Sequence, residues 1–463
     1  LAQATIFPYH KLVKRLNFSF FNVTIEPGSL RVLGACSSVE RLTMIRLNGI
    51  TGNDISIFVK NLKKNILTSV DVTNTPLLNG DEVGAFIENC ELSLQGLYMP
   101  NSQCNTELLN KLFEKCRNLK RVRIMETSFL TNDNLITMSL NLHKIVELDI
   151  SECQNINSYA VYKALSGMPN IRDFVANGCK NIDNSFIRNL YENKVFLKKL
   201  KNFSVGNLNP IFSLQDTDLY YLTVIAPNIK HLTLSKHSDI TDVGMGYISK
   251  LKKSLTTLNI GHLSQISNLG ISYIIECSKL TYLDLSACDS ISSEGFILLS
   301  NFKRLRRLGM VKCMKLDDYT LLKFLAKTNA QLERVHLSYC PQLTGFSILE
   351  LLRRHPKLQH LSVSGIPAVQ SLLPKLRDYS RQAPYEFTSE QTISFAIFSG
   401  SKNIAHIKDV LIKQLVDRRF TDKFTEDNAI RNLFEAYLNY RNCEDSNYKG
   451  LLVHVLVPFF NTC

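Results

Sequence analysis

The sequence has no apolar run near the roughly 18 residues that a membrane-crossing helix needs. The longest candidate, LLVHVLVPFF at 451–460, is too short and contains a His and a Pro. The N-terminus, LAQATIFPYH, lacks the charged-then-apolar pattern of a signal peptide. It begins with Leu, so a fragment or processed chain is expected. No cysteine pair has C-x-x-C spacing, which removes the common zinc and redox motifs. P-loop, G-x-G-x-x-G, H-E-x-x-H and G-x-S-x-G patterns are missing too. No catalytic residue, metal ligand or cofactor site is therefore expected, and the chain reads as a binder. Negative charge is also short. Asp and Glu total 41 against 54 Lys and Arg, a formal charge of +13, which points to anionic partners.

What is present is a repeat. The chain has 463 residues, 45% hydrophobic and 21% charged, a globular composition too long for one ordinary domain. The template apolar-x-x-apolar-x-apolar occurs fourteen times, from Val13/Leu16/Phe18 to Leu358/Leu361/Val363, with starts 25 to 29 residues apart. That period and core define a leucine-rich repeat. Each copy reads as one short parallel strand, a turn and a helix. One helix is expected over Val243–Lys250 with Thr241 as its N-cap. Apolar residues at helical spacing, Ile156/Val161/Leu165 and Leu343/Ile348/Leu352, should pack beneath the strands. Pro169, Pro227 and Pro356 should end helices just before a strand. The expected fold class is α/β: a solenoid of about fourteen repeats over residues 13–366, with a curved parallel sheet inside and helices outside. Residues 1–12 precede it, a cap or tail occupies 367–415, and 416–463 remain unassigned.

The cysteines follow the repeat. Cys153, Cys179, Cys288, Cys313 and Cys340 each stand eight residues after the template's first apolar residue. Cys36, Cys116 and Cys277 stand three before it, and Cys90 four before it. Nine of twelve thus occupy recurring inward slots, which marks the cysteine-containing type of repeat with the thiol as a small hydrophobe. Leu47, Leu208, Leu263 and Ile366 fill the same slot, and His237 fills it once as an expected hydrogen-bonded core residue. Reduced thiols agree with cytoplasm and nucleus as the expected compartments. The triplets at Asn17, Asn22 and Asn202 carry little weight without a secretion signal.

The inner face should present the third, fifth and seventh template residues, over roughly 65 Å for fourteen strands. Its basic members are Arg15, Arg41, Arg121, Arg123, Arg307 and Arg334. All are arginine, although lysine outnumbers arginine 33 to 21 in the chain. Arginine can fork around phosphate or carboxylate oxygens, and lysine cannot. Asp71, Glu147, Asp149, Asp173 and Asp284 share the face, so two basic patches should flank an acidic middle. The alternative is a solvated face with ordinary charge scatter. His355 and His360 flank a strand start at a spacing that no metal motif uses.

Particular strings go beyond the generic repeat. VKRLNFSF at 13–20, ERLT at 40–43, LQGLY at 94–98, LKRV at 119–122, RRLGMVKC at 306–313, LERVHLSYC at 332–340 and PKLQHLSVSGI at 356–366 are among them. PYEF at 384–387 and FAIFSG at 395–400 follow the last repeat. On these strings, from about residue 12 to about 415, the chain resembles the fungal F-box/leucine-rich-repeat substrate receptors of SCF ubiquitin ligases, of the glucose-repression-resistance type. The resemblance implies a non-catalytic subunit that holds phosphorylated proteins, such as G1 cyclins or nutrient-signalling regulators, for ubiquitin-dependent degradation. It implies binding to the Skp adaptor, and so to the cullin, through an F-box that this chain does not contain. Arg15, Arg41, Arg121, Arg307 and Arg334 match letters of the family's motifs.

Two further readings stay open. One is an F-box-less scaffold or mitotic regulator built on the same repeats. The other is nucleic-acid binding through general basicity, against which stand the missing aromatic-basic interleaving and groove-reading motifs.

Overall fold

The computed structural model describes residues 9–19, 26, 28–45, 49–74, 81–99, 104–206, 213–384 and 387–417. The segment before Tyr9, the slot residues Leu47 and Leu208, Asn22, Tyr385 and Glu386 of PYEF, and the tail from 418 with LLVHVLVPFF lie outside them. The chain forms two compact units that divide between His237 and Ser238.

In the first unit, nine strands of three residues each follow the template. They are β1 (Arg15–Asn17), β2 (Arg41–Thr43), β3 (Ser69–Asp71), β4 (Gly96–Tyr98), β5 (Arg121–Arg123), β6 (Glu147–Asp149), β7 (Asp173–Val175), β8 (Asn202–Ser204) and β9 (His231–Thr233). Each pairs in parallel with the next, first residue opposite first residue. The central residue of each strand points inward. Leu42, Val70, Leu97, Val122, Leu148, Phe174, Phe203 and Leu232 are all at most 1% exposed. Burial at this level contributes about 1.5–3 kcal/mol per side chain.

The second unit repeats the pattern with β10 (Thr257–Asn259), β11 (Tyr282–Asp284), β12 (Arg307–Gly309), β13 (Arg334–His336) and β14 (His360–Ser362), paired in parallel and in the same register. A further strand, β15 (Ile397–Ser399), pairs antiparallel with β14. It lies inside FAIFSG, within the stretch 367–415 expected as a cap or tail. Both units are built as α/β leucine-rich-repeat solenoid, strand then helix, fourteen template strands in all.

The helices start and stop where side chains dictate. Thr241 caps the helix Asp242–Ile248 by accepting from the Val243 amide. A 3-10 turn, Ser249–Leu251, completes the span expected to reach Lys250. The helices Ser158–Ser166, Asp216–Ile225 and Gly345–Arg354 end within three residues of Pro169, Pro227 and Pro356. Side chains also cap across repeats. Asp242 accepts from the Ser267 hydroxyl and the Gly270 amide, and Asp318 accepts from the Thr344 amide and hydroxyl.

Two features bind one repeat to the next. The template's eighth residue is left-handed in copy after copy, with φ 54° at Glu126, 60° at Glu152, 64° at His262, 54° at Ala287, 56° at Lys312 and 61° at Tyr339. For residues other than glycine this conformation costs about 1–2 kcal/mol. It turns the amide toward the following repeat, where Glu126 donates to the Ser151 carbonyl, Glu152 to Asn177, Ala287 to Val311 and Tyr339 to Ser364, all at 2.7–2.9 Å. The ninth residue is the cysteine slot, and it is more than a small hydrophobe. Cys153 Sγ donates to the Ile124 carbonyl at 3.1 Å, Cys179 to Ile150 at 3.1 Å, Cys288 to Ile260 at 3.1 Å and Cys340 to Met310 at 3.0 Å. Each thiol thereby satisfies a carbonyl of the repeat before it.

His237 performs the same task. Its Nε2 lies 2.7 Å from the Val205 carbonyl, and its Nδ1 accepts from the Leu214 amide at 3.1 Å. The ring is therefore the neutral tautomer with the proton on Nε2. Substituting His237→Leu leaves both backbone groups buried without that partner and should lower stability by about 2 kcal/mol. His237→Cys keeps a donor for Val205 and should lose less; urea unfolding of the two variants side by side checks the order. Burial pushes the thiols of Cys90, Cys116, Cys179, Cys277 and Cys288 up to about 12. These five should resist a water-soluble thiol reagent at pH 8 and react once urea is added, as peptide mapping by mass spectrometry would show.

Candidate ligand-binding face

The strand register builds the face directly. Residues on either side of each buried central residue point outward, so first and third strand residues form two parallel rows with neighbours about 4.8 Å apart. All six predicted arginines, Arg15, Arg41, Arg121, Arg123, Arg307 and Arg334, stand in these rows and are exposed. The seventh template residue behaves differently from the expectation. Ser151, Ser338 and Ser364 are buried. Their hydroxyls work inside the turns: Ser151 accepts from the Asn177 amide and Ser338 from the Ser364 amide. At these copies the position joins repeats, whereas Thr73, Asn177, Ser286 and Val311 at the same position are half-exposed.

In the first unit Arg15 and Arg41 are in-register neighbours. No described carboxylate forms an ion pair with either. Arg121 and Arg123 are held differently, because they share Glu147 on the adjacent strand. Arg121 Nε is 3.7 Å from Glu147 Oε2, and Arg123 Nε pairs with Oε1. The Arg123 guanidinium also lies 5.6 Å from the Tyr98 ring centroid, within cation–π range. Burial opposes the charge on Arg123, but the Glu147 hydrogen bond and carboxylates outweigh it and hold its pKa up.

The acidic residues are similarly occupied. Asp71, Asp149 and Asp284 each accept from the amide and hydroxyl of the residue two positions on, Thr73, Ser151 and Ser286. Burial raises the Asp149 pKa against those hydrogen bonds, and burial together with Glu147 raises that of Asp173.

In the second unit Arg307 and Arg334 are in-register neighbours, and the next residue in that row is His360. Arg306 is engaged by Glu333, whereas no described carboxylate forms an ion pair with Arg307 or Arg334. His336 and His360 face each other with ring centroids 4.8 Å apart. Neither was expected on the face; from the sequence His360 is considered only as a metal ligand. Their template positions, fifth and third, were the signal that could have found them. Burial, then the charges of His336, Arg334 and Arg381, push the His360 pKa down to about 4. His355 is separate from this group: it is 3% exposed in the core, and its Nδ1 accepts from the Leu332 amide at 3.3 Å. Among the described residues no three His, Cys, Asp or Glu side chains are grouped to hold a metal ion.

No family model matches the chain. A stretch of 95 residues is 39% identical to the SCF E3 ubiquitin ligase complex F-box protein pof2 of Schizosaccharomyces pombe. That stretch is 20% of this chain and 20% of the relative, so the chain spans about a fifth of the length of the curated relative it matches. Among solved structures, the yeast Rad7–Elc1 complex aligns at 17% identity and a TM-score of 0.47, over 67% of this chain and 79% of the other. An internalin from Listeria monocytogenes aligns at 14% and 0.37, covering 76% and 81%. The TLR13–ssRNA13 complex aligns at 16% and 0.42, covering 78% and 54%.

The histidines generate a pH prediction. Burial, then Arg354, pushes the His355 pKa down to about 4 from an ordinary 6.5. The unfolded chain therefore binds more protons between pH 6.5 and 4. Stability is full above 6.5 and is lost as pH falls through that window. Going from pH 7 to pH 5 should cost the second unit on the order of 2 kcal/mol from His355. His355→Gln should reduce that slope in denaturant titrations at the two pH values and leave the part contributed by His360.

Proposed function

We propose that this chain is the substrate-recognition part of an SCF-type ubiquitin ligase, and that it holds phosphorylated proteins on the exposed strand rows. The observation that carries this reading is the pair of in-register arginine neighbours in each unit, Arg15 with Arg41 and Arg307 with Arg334, none in an ion pair with a described carboxylate. Two guanidinium groups at that spacing can each give two N–H donors to one phosphoryl group, and such charge-assisted bonds are the strong kind. The similarity to an F-box protein of an SCF complex, although partial, supports the same role. On this reading the chain is non-catalytic: it presents a substrate, while the Skp adaptor and cullin connect through an F-box to the enzymes that transfer ubiquitin. The proposed substrates are phosphorylated regulators, G1 cyclins and nutrient-signalling proteins among them, met in cytoplasm or nucleus.

Arg121 and Arg123 contribute less here, because Glu147 already occupies them. Losing a charge-assisted contact of about 1.5–3 kcal/mol should weaken binding tenfold or more. Arg15→Glu with Arg41→Glu, or Arg307→Glu with Arg334→Glu, should therefore abolish measurable binding of phosphothreonine peptides in fluorescence anisotropy. Circular dichroism should stay unchanged, since the four side chains are exposed. Arg123→Glu should cost less. Affinity unaltered in both double variants would overturn the proposal. Duplex DNA that binds more tightly than phosphopeptide, with a steep salt dependence, would favour the nucleic-acid reading instead.

A further inference from the structure

The second unit also contains a cavity of about 580 Å³ that the strand rows do not explain. Leu373, Phe387, Ile393 and Phe395 give it apolar wall, and Arg377 and Arg381 line it as well. The apolar part is open to solvent, with Ile393 62% exposed and Phe387 37% exposed. Its volume falls within the usual range of ligand sites, and mixed apolar and cationic lining suits an amphipathic anion. No described carboxylate forms an ion pair with Arg377 or Arg381.

The cavity meets the end of the arginine row. Arg307, Arg334, His360 and Ser399 stand opposite one another in successive strands. His360 Nδ1 lies 2.9 Å from Ser399 Oγ. The Arg381 amide donates to the Ile397 carbonyl at 2.7 Å, which fixes Arg381 beside β15. Arg381 thus lines the cavity and stands beside the strand that closes the row.

We propose that the phosphorylated segment received by the second unit carries an apolar side chain near its phosphate, with the phosphate on Arg381 and the apolar side chain in the cavity between Phe387 and Ile393. Charge complementarity selects the phosphate, and the exposed Phe387 and Ile393 are covered when the segment binds. Specificity then comes from the distance between phosphate and apolar group as well as from the phosphate itself. The inference rests on the phosphate-recognition reading above, and its test separates the two.

The probes are synthetic phosphothreonine peptides of otherwise alanine, glycine and serine composition, with one phenylalanine moved through each position on both sides. Unphosphorylated and phenylalanine-free versions serve as references, and the full chain is titrated by fluorescence anisotropy. Phosphopeptides should bind above the unphosphorylated set, and one narrow range of phenylalanine positions should bind about tenfold more tightly than the rest. Ile393→Ser, which removes the apolar wall without adding charge, should erase that preference without weakening the phenylalanine-free phosphopeptide, whereas Arg381→Glu should weaken both. Phe387→Ala provides a second variant with the same expected loss of preference. Phosphopeptides that bind with no positional preference, or a preference that survives both cavity variants, would overturn the cavity assignment alone. Equal binding with and without phosphate would overturn both.

Discussion

The hydrogen bonding from one repeat to the next is the constraint on which the rest of this protein depends. A three-residue strand supplies few ladder bonds, and no single repeat can bury its own apolar face. The missing cohesion comes from groups just beyond the strand. A left-handed turn aims an amide at the following repeat, a thiol or imidazole satisfies a carbonyl of the preceding one, and Asp242 and Asp318 cap the next helix. Each such bond contributes about 1 kcal/mol net, but an unmade one in the core would cost more. This asymmetry holds the register, and register alone decides which arginines become neighbours.

Once register is set, the charge pattern of the face has a physical reading. Strands about 4.8 Å apart place Arg15 beside Arg41 and Arg307 beside Arg334, where like charges repel unless an anion lies between them. Elsewhere the protein neutralises its own face. Glu147 engages Arg121 and Arg123, and hydroxyl groups two residues on engage Asp71, Asp149 and Asp284. The pairs without an ion-paired carboxylate among the described residues thereby stand out from the ion-paired ones, which a count of basic residues would not reveal.

Much of the fold was legible because the repeat writes it out fourteen times. The template located every one of the first fourteen strands, and alternation within it separated Val122 from its exposed neighbours Arg121 and Arg123. Thr241 as a cap and His237 as a core residue followed from local chemistry. Other features left no mark. Among the described residues the left-handed eighth position is Glu, Lys, Ala, His or Tyr seven times, Asn once and Gly twice, since the inter-repeat bond compensates the strain that usually selects glycine. The antiparallel β15 has no template, so nothing in FAIFSG distinguishes a closing strand from a tail. Burial of Ser151, Ser338 and Ser364 was hidden as well, because serine fits either a solvated face or a turn network.

The sequence by itself determined the architecture and the identity of the exposed rows, because period and alternation are one-dimensional properties that any stacking must respect. Only the tertiary structure decided which charges are already spoken for, that the cysteine slot is a donor to its neighbour, and that Arg381 from beyond the last repeat stands beside the closing strand. These depend on distances between side chains far apart in the chain, and packing alone sets such distances.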